Sequence, residues 1–433
     1  MIFKRSFLIF LFAPLFGFYA QQYSFPNKDF LFEISEVNQN NYEFNFKLDQ
    51  ITFSKIAANH TYYTTIDKKG FYEHQEIGKP ALLQFNELIE VPNGGEIKIT
   101  IKKVSFETID LNQLQLPIIK PHQRSISKSE DPSQVVFKMD QKLYNQNKFM
   151  GYELVSLIQK GVIRKHQMSR LEICPFEYNP STNQLKVYHD IKFEIQFLKA
   201  DLNQTRLNYA AYNQAEFSPI FNQFINRSPI FSNKDVITTH PTTYVIVSDR
   251  SFEQVLQPFV DWKTKKGFHV IEAYTDDPNV GNTTSSIKNY LQNLYNNPGS
   301  NNPPSYILLV GDVNEIPSFS GTQGNHVSDL YYAEYDGNGD FYADVYYGRF
   351  SSSNPQEIQH MVAKTIDYEM YNFQDPSFLA DAVMISGVDA AMAPTYGNGQ
   401  INYANQYYTN SSNGINAHTY LYPASGSSAS QIL

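Results

Sequence analysis

The first half of the chain alternates apolar and polar residues over short stretches. The alternation has a period of two residues and is clearest at 42–48, 96–102 and 191–197. Clusters rich in Pro, Asn, Gly and Ser separate such stretches, for example at 92–95 and 179–183. A period of two places one face of a strand in a core and the other in water, as in antiparallel sheets. The pattern predicts β-structure almost throughout residues 21–235, arranged like a sandwich.

The pattern changes in the second half of the chain, after a boundary rich in Asn, Ser, Pro and Thr at 226–242. Residues 243–248 form a continuous apolar run, which is expected of a strand buried on both faces. Helices are then predicted at 252–266, 284–296, 356–371 and 399–408, and strands at 268–273, 305–310, 382–386 and 417–422. This alternation predicts a mainly parallel sheet flanked by helices. The last residues, 425–433, are expected to begin one more helix, so the second domain is expected to be incomplete.

The first 20 residues are typical of a secretory signal. Lys4 and Arg5 precede an apolar run from Phe7 to Ala20, and cleavage is expected between Ala20 and Gln21. An uncleaved anchor helix is the alternative, but the run is short for a bilayer and contains a proline. The predicted organisation is a signal peptide at 1–20, a β-rich domain at 21–235 and an α/β domain at 236–433. The mature protein is expected to be secreted or held at the cell surface.

Charge and cysteine content narrow the function further. The formal net charge is −9, so a polyanion such as nucleic acid is an unfavourable partner. Cys174 is the only cysteine of the sequence, which excludes an intramolecular disulfide framework. A catalytic thiolate needs a cationic environment, whereas a lone cysteine in a predicted strand usually packs as a small apolar side chain. We therefore expect a structural role for Cys174.

Several motifs resemble those of gingipain-type cysteine peptidases. In the second half they are YILLVGD at 306–312 with EIP at 315–317, SDLYY at 328–332 and DVYYGRF at 344–350. In the first half, CPFEYNP at 174–180 and LKVY at 185–188 are similar to the β-rich prodomain of that family. The resemblance implies a prodomain followed by a caspase-like α/β domain, with protein or peptide substrates. It also implies a catalytic His and Cys that lie beyond Leu433, so no catalytic residue is assigned and this chain alone is expected to be inactive.

Acidic residues in a glycine-rich loop are the candidate metal ligands. Asp336, Asn338 and Asp340 present side-chain oxygens at alternate positions and Asp344 follows, which suits Ca²⁺, although Asn-Gly and Asp-Gly pairs also form hairpin turns. The resemblance implies structural calcium and adds Asp312 and Asp329 to the possible ligands. The resulting prediction is a structural Ca²⁺ site formed by these five carboxylates.

Other residues and functions stay as alternatives. His418 is expected to be a hydrogen-bonded histidine on a strand face, and no HExxH spacing supports a zinc peptidase. Asp389 lies in a loop that could hold a substrate-binding acid, but it does not align clearly with one. The resemblance implies that the prodomain covers the cleft until its link is cut, and Arg227 and Lys234 are candidate processing points. Rival functions are a sortase-like processing peptidase of the same family and a catalytically inactive surface-binding module or adhesin.

Overall fold

The structure is a computed structural model that describes residues 20–126, 130–131, 134–227, 240–322, 326–337, 339–387 and 393–423. Several predictions lie outside the described residues: the signal peptide up to residue 19, Lys234, Asp389 and the helix start at 425–433. Among the described residues, no helix combines the length and apolar character needed to cross a membrane.

The N-terminal part is built almost entirely from antiparallel strands. They are β1 (Gln21–Ser24), β2 (Leu31–Asn38), β3 (Asn41–Lys47), β4 (Gln50–Ala58), β5 (Thr61–Asp67), β6 (Phe71–Glu73), β7 (Leu83–Val91), β8 (Glu96–Asp110), β9 (Met150–Gly151), β10 (Val155–Ile163), β11 (His166–Ile173), β12 (Phe176–Asn179) and β13 (Gln184–Leu198). The helices of this part are α1 (Gln141–Tyr144), α2 (Leu202–Tyr212) and α3 (Ser218–Phe221).

These strands form three sheets around one apolar core. The strand orders are β1-β4-β5, β10-β11-β7-β6 and β2-β3-β13-β12-β9, with β8 also paired to β13. Phe46, Phe53 and Phe193 are fully buried between the sheets, and the rings of Phe44 and Phe193 stack at 4.7 Å. The alternating apolar positions supply this core, so the predicted antiparallel β-structure is confirmed.

Helix α2 is an exception within residues 21–235, which are mostly β-structure as predicted. The Asp201 side chain caps its first turn by accepting a hydrogen bond from the Gln204 backbone N–H. Only Thr205 and Tyr212 of this helix are buried, so its sequence carries no apolar stripe that would reveal a helix.

The C-terminal part alternates strands and helices. Its strands are β14 (Thr243–Ser248), β15 (His269–Tyr274), β16 (Pro304–Val310), β17 (Phe319–Ser320), β18 (Val327–Ser328), β19 (Tyr346–Phe350), β20 (Asp381–Ile385) and β21 (Asn416–Tyr420). Its α-helices are α4 (Glu253–Lys265), α5 (Thr284–Asn296), α6 (Pro355–Met370) and α7 (Asn398–Tyr407). The main sheet has the order β15-β14-β16-β19 and all its pairings are parallel, which confirms the predicted α/β domain.

Helices cover both faces of this parallel sheet. Val245 and Val247 of β14 pack on the α5 side, while Ile246 between them packs against α4 and α6. This division explains why β14 is a continuous apolar run and does not alternate. Beyond α6, β20 and β21 pair in parallel as a separate two-stranded sheet.

Candidate functional site

Polar side chains gather at the carboxyl edge of the parallel sheet. Arg349, near the end of β19, donates hydrogen bonds from Nη1 to the carbonyl oxygens of Gly311 and Ile316, both at 2.9 Å. Its Nε and Nη2 donate to the two carboxylate oxygens of Asp329 at 2.8 and 2.7 Å. Arg349 therefore ties the loop after β16 to the segment that contains Asp329.

Two further acids fix the same loop to the segment between β19 and α6. Asp312 Oδ1 accepts hydrogen bonds from the Val313 backbone N–H at 2.9 Å and from Ser351 Oγ at 3.1 Å. Glu315 Oε2 accepts from the Asp312 backbone N–H at 3.0 Å and from Ser353 Oγ at 2.9 Å. In open α/β sheets, ligands bind outside the carboxyl ends of the strands, so this ordered edge is the expected position of a functional cleft.

The second polar cluster is the acidic loop before β19, which we define as residues 334–345. Asp344 is fully buried, and its Oδ2 accepts hydrogen bonds from the backbone N–H groups of Tyr335 at 2.6 Å and Asp336 at 2.8 Å. Its Oδ1 accepts from the backbone N–H of Arg164, in the N-terminal part, at 2.7 Å. Burial, with a smaller contribution from the nearby Asp336, raises the pKa of Asp344 to about 7, although these N–H donors oppose the rise.

Asp336 and Asp340 of this loop also contact the N-terminal part. Asp336 accepts from the Lys165 backbone N–H and from the Tyr295 hydroxyl, both at 2.7 Å, and forms an ion pair with the Lys165 ammonium. Asp340 accepts from the Val162 backbone N–H at 2.7 Å. The acidic loop is therefore a contact surface between the two parts of the chain.

The structure does not gather the five predicted calcium ligands. Asp312 and Asp329 lie at the carboxyl edge, whereas Asp336, Asp340 and Asp344 lie in the acidic loop. Both carboxylate oxygens of each of these three aspartates accept hydrogen bonds from protein donors. Within the described ranges, no group of three or more His, Cys, Asp or Glu side chains is arranged to hold a metal ion. In this arrangement the carboxylates do not fit a Ca²⁺ site, and calcium binding stays a prediction.

Cys174 and His418 do not form a catalytic pair. Cys174 is buried directly after β11, and burial, with a smaller contribution from Glu172, raises the pKa of its thiol to about 12. A thiol in this environment is inert at neutral pH. His418 lies on β21, half exposed, with its Nε2 3.4 Å from Asp381 Oδ1. The structure places both residues as the sequence predicts: a buried structural cysteine and a strand-face histidine with a polar partner.

Both halves of the chain match known families in the order seen in the structure. Residues 26–222 match the C25 propeptide family, and residues 237–431 match peptidase family C25. The chain belongs to peptidase family C25. The expected gingipain-like cysteine peptidase with an N-terminal prodomain is thereby confirmed, and β1 to α3 lie within or close to the propeptide match.

The relatives of this C25 chain include Lys-gingipain HG66 of Porphyromonas gingivalis, which is 32% identical over 383 residues. That match covers 88% of this chain and 22% of the relative. Gingipain R2 of Porphyromonas gingivalis is 24% identical over 83% of this chain and 47% of its own length. A solved structure described as showing zymogenic latency of gingipain K from Porphyromonas gingivalis is 25% identical, with a TM-score of 0.40, and the match covers 42% of this chain and 100% of that one. This C25 chain therefore spans only about a fifth to a half of these two relatives' lengths.

Sequence reasoning missed the residues of this C25 chain that face the acidic loop. Arg164 and Lys165 lie within the region predicted as β-structure, where a basic pair usually indicates a solvated turn. Their partners lie roughly 170 to 180 positions later, as the separations of 171 and 180 show. Local spacing contains no information about such contacts. Arg349, in contrast, lies inside the DVYYGRF motif at 344–350, so the sequence did contain a signal that could have identified it.

Proposed function

We propose that the complete protein is a secreted cysteine endopeptidase precursor. In this proposal a Cys thiolate attacks the peptide carbonyl, a His transfers the proton to the leaving amine, and backbone N–H groups hold the oxyanion. The observation that carries the proposal is the order of the two parts: an antiparallel β domain matching the C25 propeptide packs on a parallel α/β sheet matching the C25 peptidase.

The thiolate of the proposed reaction must come from outside this sequence. Cys174 is the only cysteine, it is buried in the N-terminal part, and its thiol stays protonated near neutral pH. We propose, as the resemblance to gingipain-type peptidases implies, that the catalytic Cys and His lie beyond Leu433. What the described residues contribute is the parallel sheet and the carboxyl-edge network around Arg349, which would hold strand-end loops in fixed positions.

The experiment compares the 433-residue chain with the product of the same reading frame continued past Leu433. Each protein is treated with a thiol-directed covalent probe and assayed on a protein substrate. Once the link between its two parts has been cut, the longer protein is expected to hydrolyse the substrate and to take up one probe at a cysteine other than Cys174, whereas the shorter protein, cut or uncut, does neither. The Cys174→Ala variant of the longer protein is the matched control and is expected to keep full activity. A longer protein without a reactive cysteine would contradict the proposed cysteine peptidase activity.

Export and processing form the second part of the proposal. We propose cleavage after Ala20 during export and a later cut after Arg227 or Lys234. The Arg227 guanidinium donates from Nη1 to Asn222 Oδ1 at 3.0 Å and from Nη2 to Asn213 Oδ1 at 2.6 Å, so a cut there requires these hydrogen bonds to open. N-terminal sequencing of the secreted precursor and of the mature enzyme tests both cuts. A mature enzyme that starts far from residues 227–242 would contradict the processing site.

A further inference from the structure

The turn between β10 and β11 has a backbone conformation that its residues do not favour. Arg164 and Lys165 are its two central residues, and their φ angles are +49° and +65°. Two-residue hairpin turns with positive φ at both positions usually contain Asn or Gly, because a Cβ is crowded in this region. A basic pair held here indicates that contacts outside the hairpin fix the turn.

Those contacts surround the Arg164 side chain completely. Its Nε donates to the Tyr212 carbonyl oxygen at 3.0 Å, and Nη1 donates to the carbonyl oxygens of Pro304 at 2.9 Å and Asp344 at 2.8 Å. Nη2 donates to the Gln214 side chain, and the guanidinium lies 4.2 Å from the centroid of a neighbouring phenylalanine ring. Arg164 is fully buried. Its hydrogen bonds join the N-terminal part to the starts of two strands of the parallel sheet.

The hairpin approaches its partner too closely for a larger side chain beside the turn. Gly161 lies at a bulge in β10, and a Cβ added there would come within 2.5 Å of Asp340 Oδ2 and 2.7 Å of the Tyr342 ring. The Val162 backbone N–H next to it donates to Asp340. The glycine therefore permits backbone contact between the hairpin and the acidic loop.

The position of the hairpin relative to the sheet is equally informative. Pro304 is the first residue of β16, and Asp344 comes two residues before the start of β19. The hairpin therefore docks at the amino edge of the parallel sheet. Ligands of such sheets bind at the opposite, carboxyl edge. Docking of the hairpin and covering of a cleft would thus involve different surfaces.

We propose that the Arg164–Lys165 turn is the specificity element by which the N-terminal domain recognises the amino edge of its own α/β domain. This contact holds the two domains together without the covalent link through residues 228–239. The partner it fits is an α/β domain that presents the acidic loop, with Asp336, Asp340 and Asp344 as acceptors. The inference concerns association only and does not depend on the proposed peptidase activity.

The test uses the full chain with the recognition sequence of a site-specific protease placed within residues 228–239. After cutting, sedimentation over a dilution series measures the dissociation constant of the two fragments. The wild-type fragments are expected to sediment as one complex. Arg164→Ala is expected to weaken association at least about 30-fold, because it removes a buried, centrally placed arginine. Arg164→Lys is expected to lose most of the affinity as well, since an ammonium cannot make the forked contacts.

A second variant keeps the test decisive if the Arg164 variants do not fold. Gly161→Val suits a strand but places side-chain atoms against Asp340 and Tyr342, so it should weaken association at least about tenfold while the uncut protein keeps its β-sheet circular dichroism. Lys199→Glu, at an exposed ion pair with Glu96, is the control and should leave association unchanged. Wild-type fragments that separate after cutting, or Gly161→Val fragments that bind like wild type, would overturn the proposal.

Discussion

Glu369 of α6 forms a polar cluster with α4 whose contribution to stability can be worked out from the structure. Its Oε1 accepts a hydrogen bond from Lys263 Nζ at 2.6 Å, and its Oε2 accepts from Trp262 Nε1 at 2.8 Å and Lys266 Nζ at 2.9 Å. Burial alone would raise the pKa of Glu369, but these hydrogen bonds outweigh it and lower the pKa to about 2.

The lowered pKa fixes the size and the pH window of the effect. The ordinary value is 4.5, and at about 1.4 kcal/mol for each pKa unit the difference corresponds to roughly 3 kcal/mol. Glu369 is partly exposed and water screens its charge, so we expect about 1 to 2 kcal/mol. Because the folded-state pKa is the lower one, the stabilisation is complete above about pH 5 and is lost as the pH falls towards 2.

The assay is urea unfolding of wild type and Glu369→Gln, followed by the fluorescence of Trp262. Trp262 is the only tryptophan of the sequence and lies within this cluster, so its signal reports on the α/β part. The variant should be less stable than wild type at pH 7 by about 1 to 2 kcal/mol and nearly equal to it at pH 2. Glu96→Gln removes an exposed ion pair and should change stability by less than about 0.5 kcal/mol. Equal stability of wild type and Glu369→Gln at pH 7 would refute the reasoning.

Three further predictions concern the cysteine and the acidic loop. In the folded chain, Cys174 should react with iodoacetamide only as fast as the protein unfolds, because burial shields the thiol and raises its pKa to about 12. Labelling is measured by mass spectrometry, and rapid labelling of the native protein would contradict this. Burial raises the pKa of Asp344 to about 7, so the stabilisation by this group is lost as the pH rises from about 4 to 7. Asp344→Asn should therefore flatten that part of the pH dependence of the urea midpoint. Because protein donors occupy the acidic-loop carboxylates, added Ca²⁺ should leave the urea midpoint of the intact chain unchanged; a rise that chelation reverses would instead support the calcium prediction made from the sequence.

The elements that the sequence predicts well are those whose local apolar pattern follows directly from how they are buried. The helix predicted at 284–296 is α5 with the same bounds, since Ile287, Leu291 and Tyr295 recur at helical spacing and Thr283 caps the first turn. The strand predicted at 243–248 is β14, because a strand covered on both faces must be apolar throughout. In both cases the local pattern of side chains and the tertiary environment agree.

The acidic loop shows where local patterns stop being informative. Closely spaced acidic residues in a glycine-rich segment are equally suitable for Ca²⁺, for a tight turn and for a basic partner. Each of these uses needs side-chain oxygens close together. In the structure these oxygens accept hydrogen bonds from the backbone N–H groups of Val162, Arg164 and Lys165, which belong to a hairpin far away along the chain. No spacing within the loop distinguishes a metal ion from a distant hairpin, so the partner of these carboxylates could not be predicted from the sequence.

The same contacts imply that the α/β domain cannot lose the hairpin without some other change. Asp336 and Asp344 are buried close together, and Lys165 and Arg164 supply the nearby positive charge and several of the hydrogen-bond donors. An acid pair left buried without these groups would be costly, because desolvated carboxylates need a counter-charge or hydrogen bonds. Three changes could compensate: uptake of a proton by the pair, opening of the loop to water, or binding of a cation. The first depends on pH and the third on ions, so separation of the two domains should respond to both, whereas a docked hairpin makes the intact chain largely insensitive to added cations.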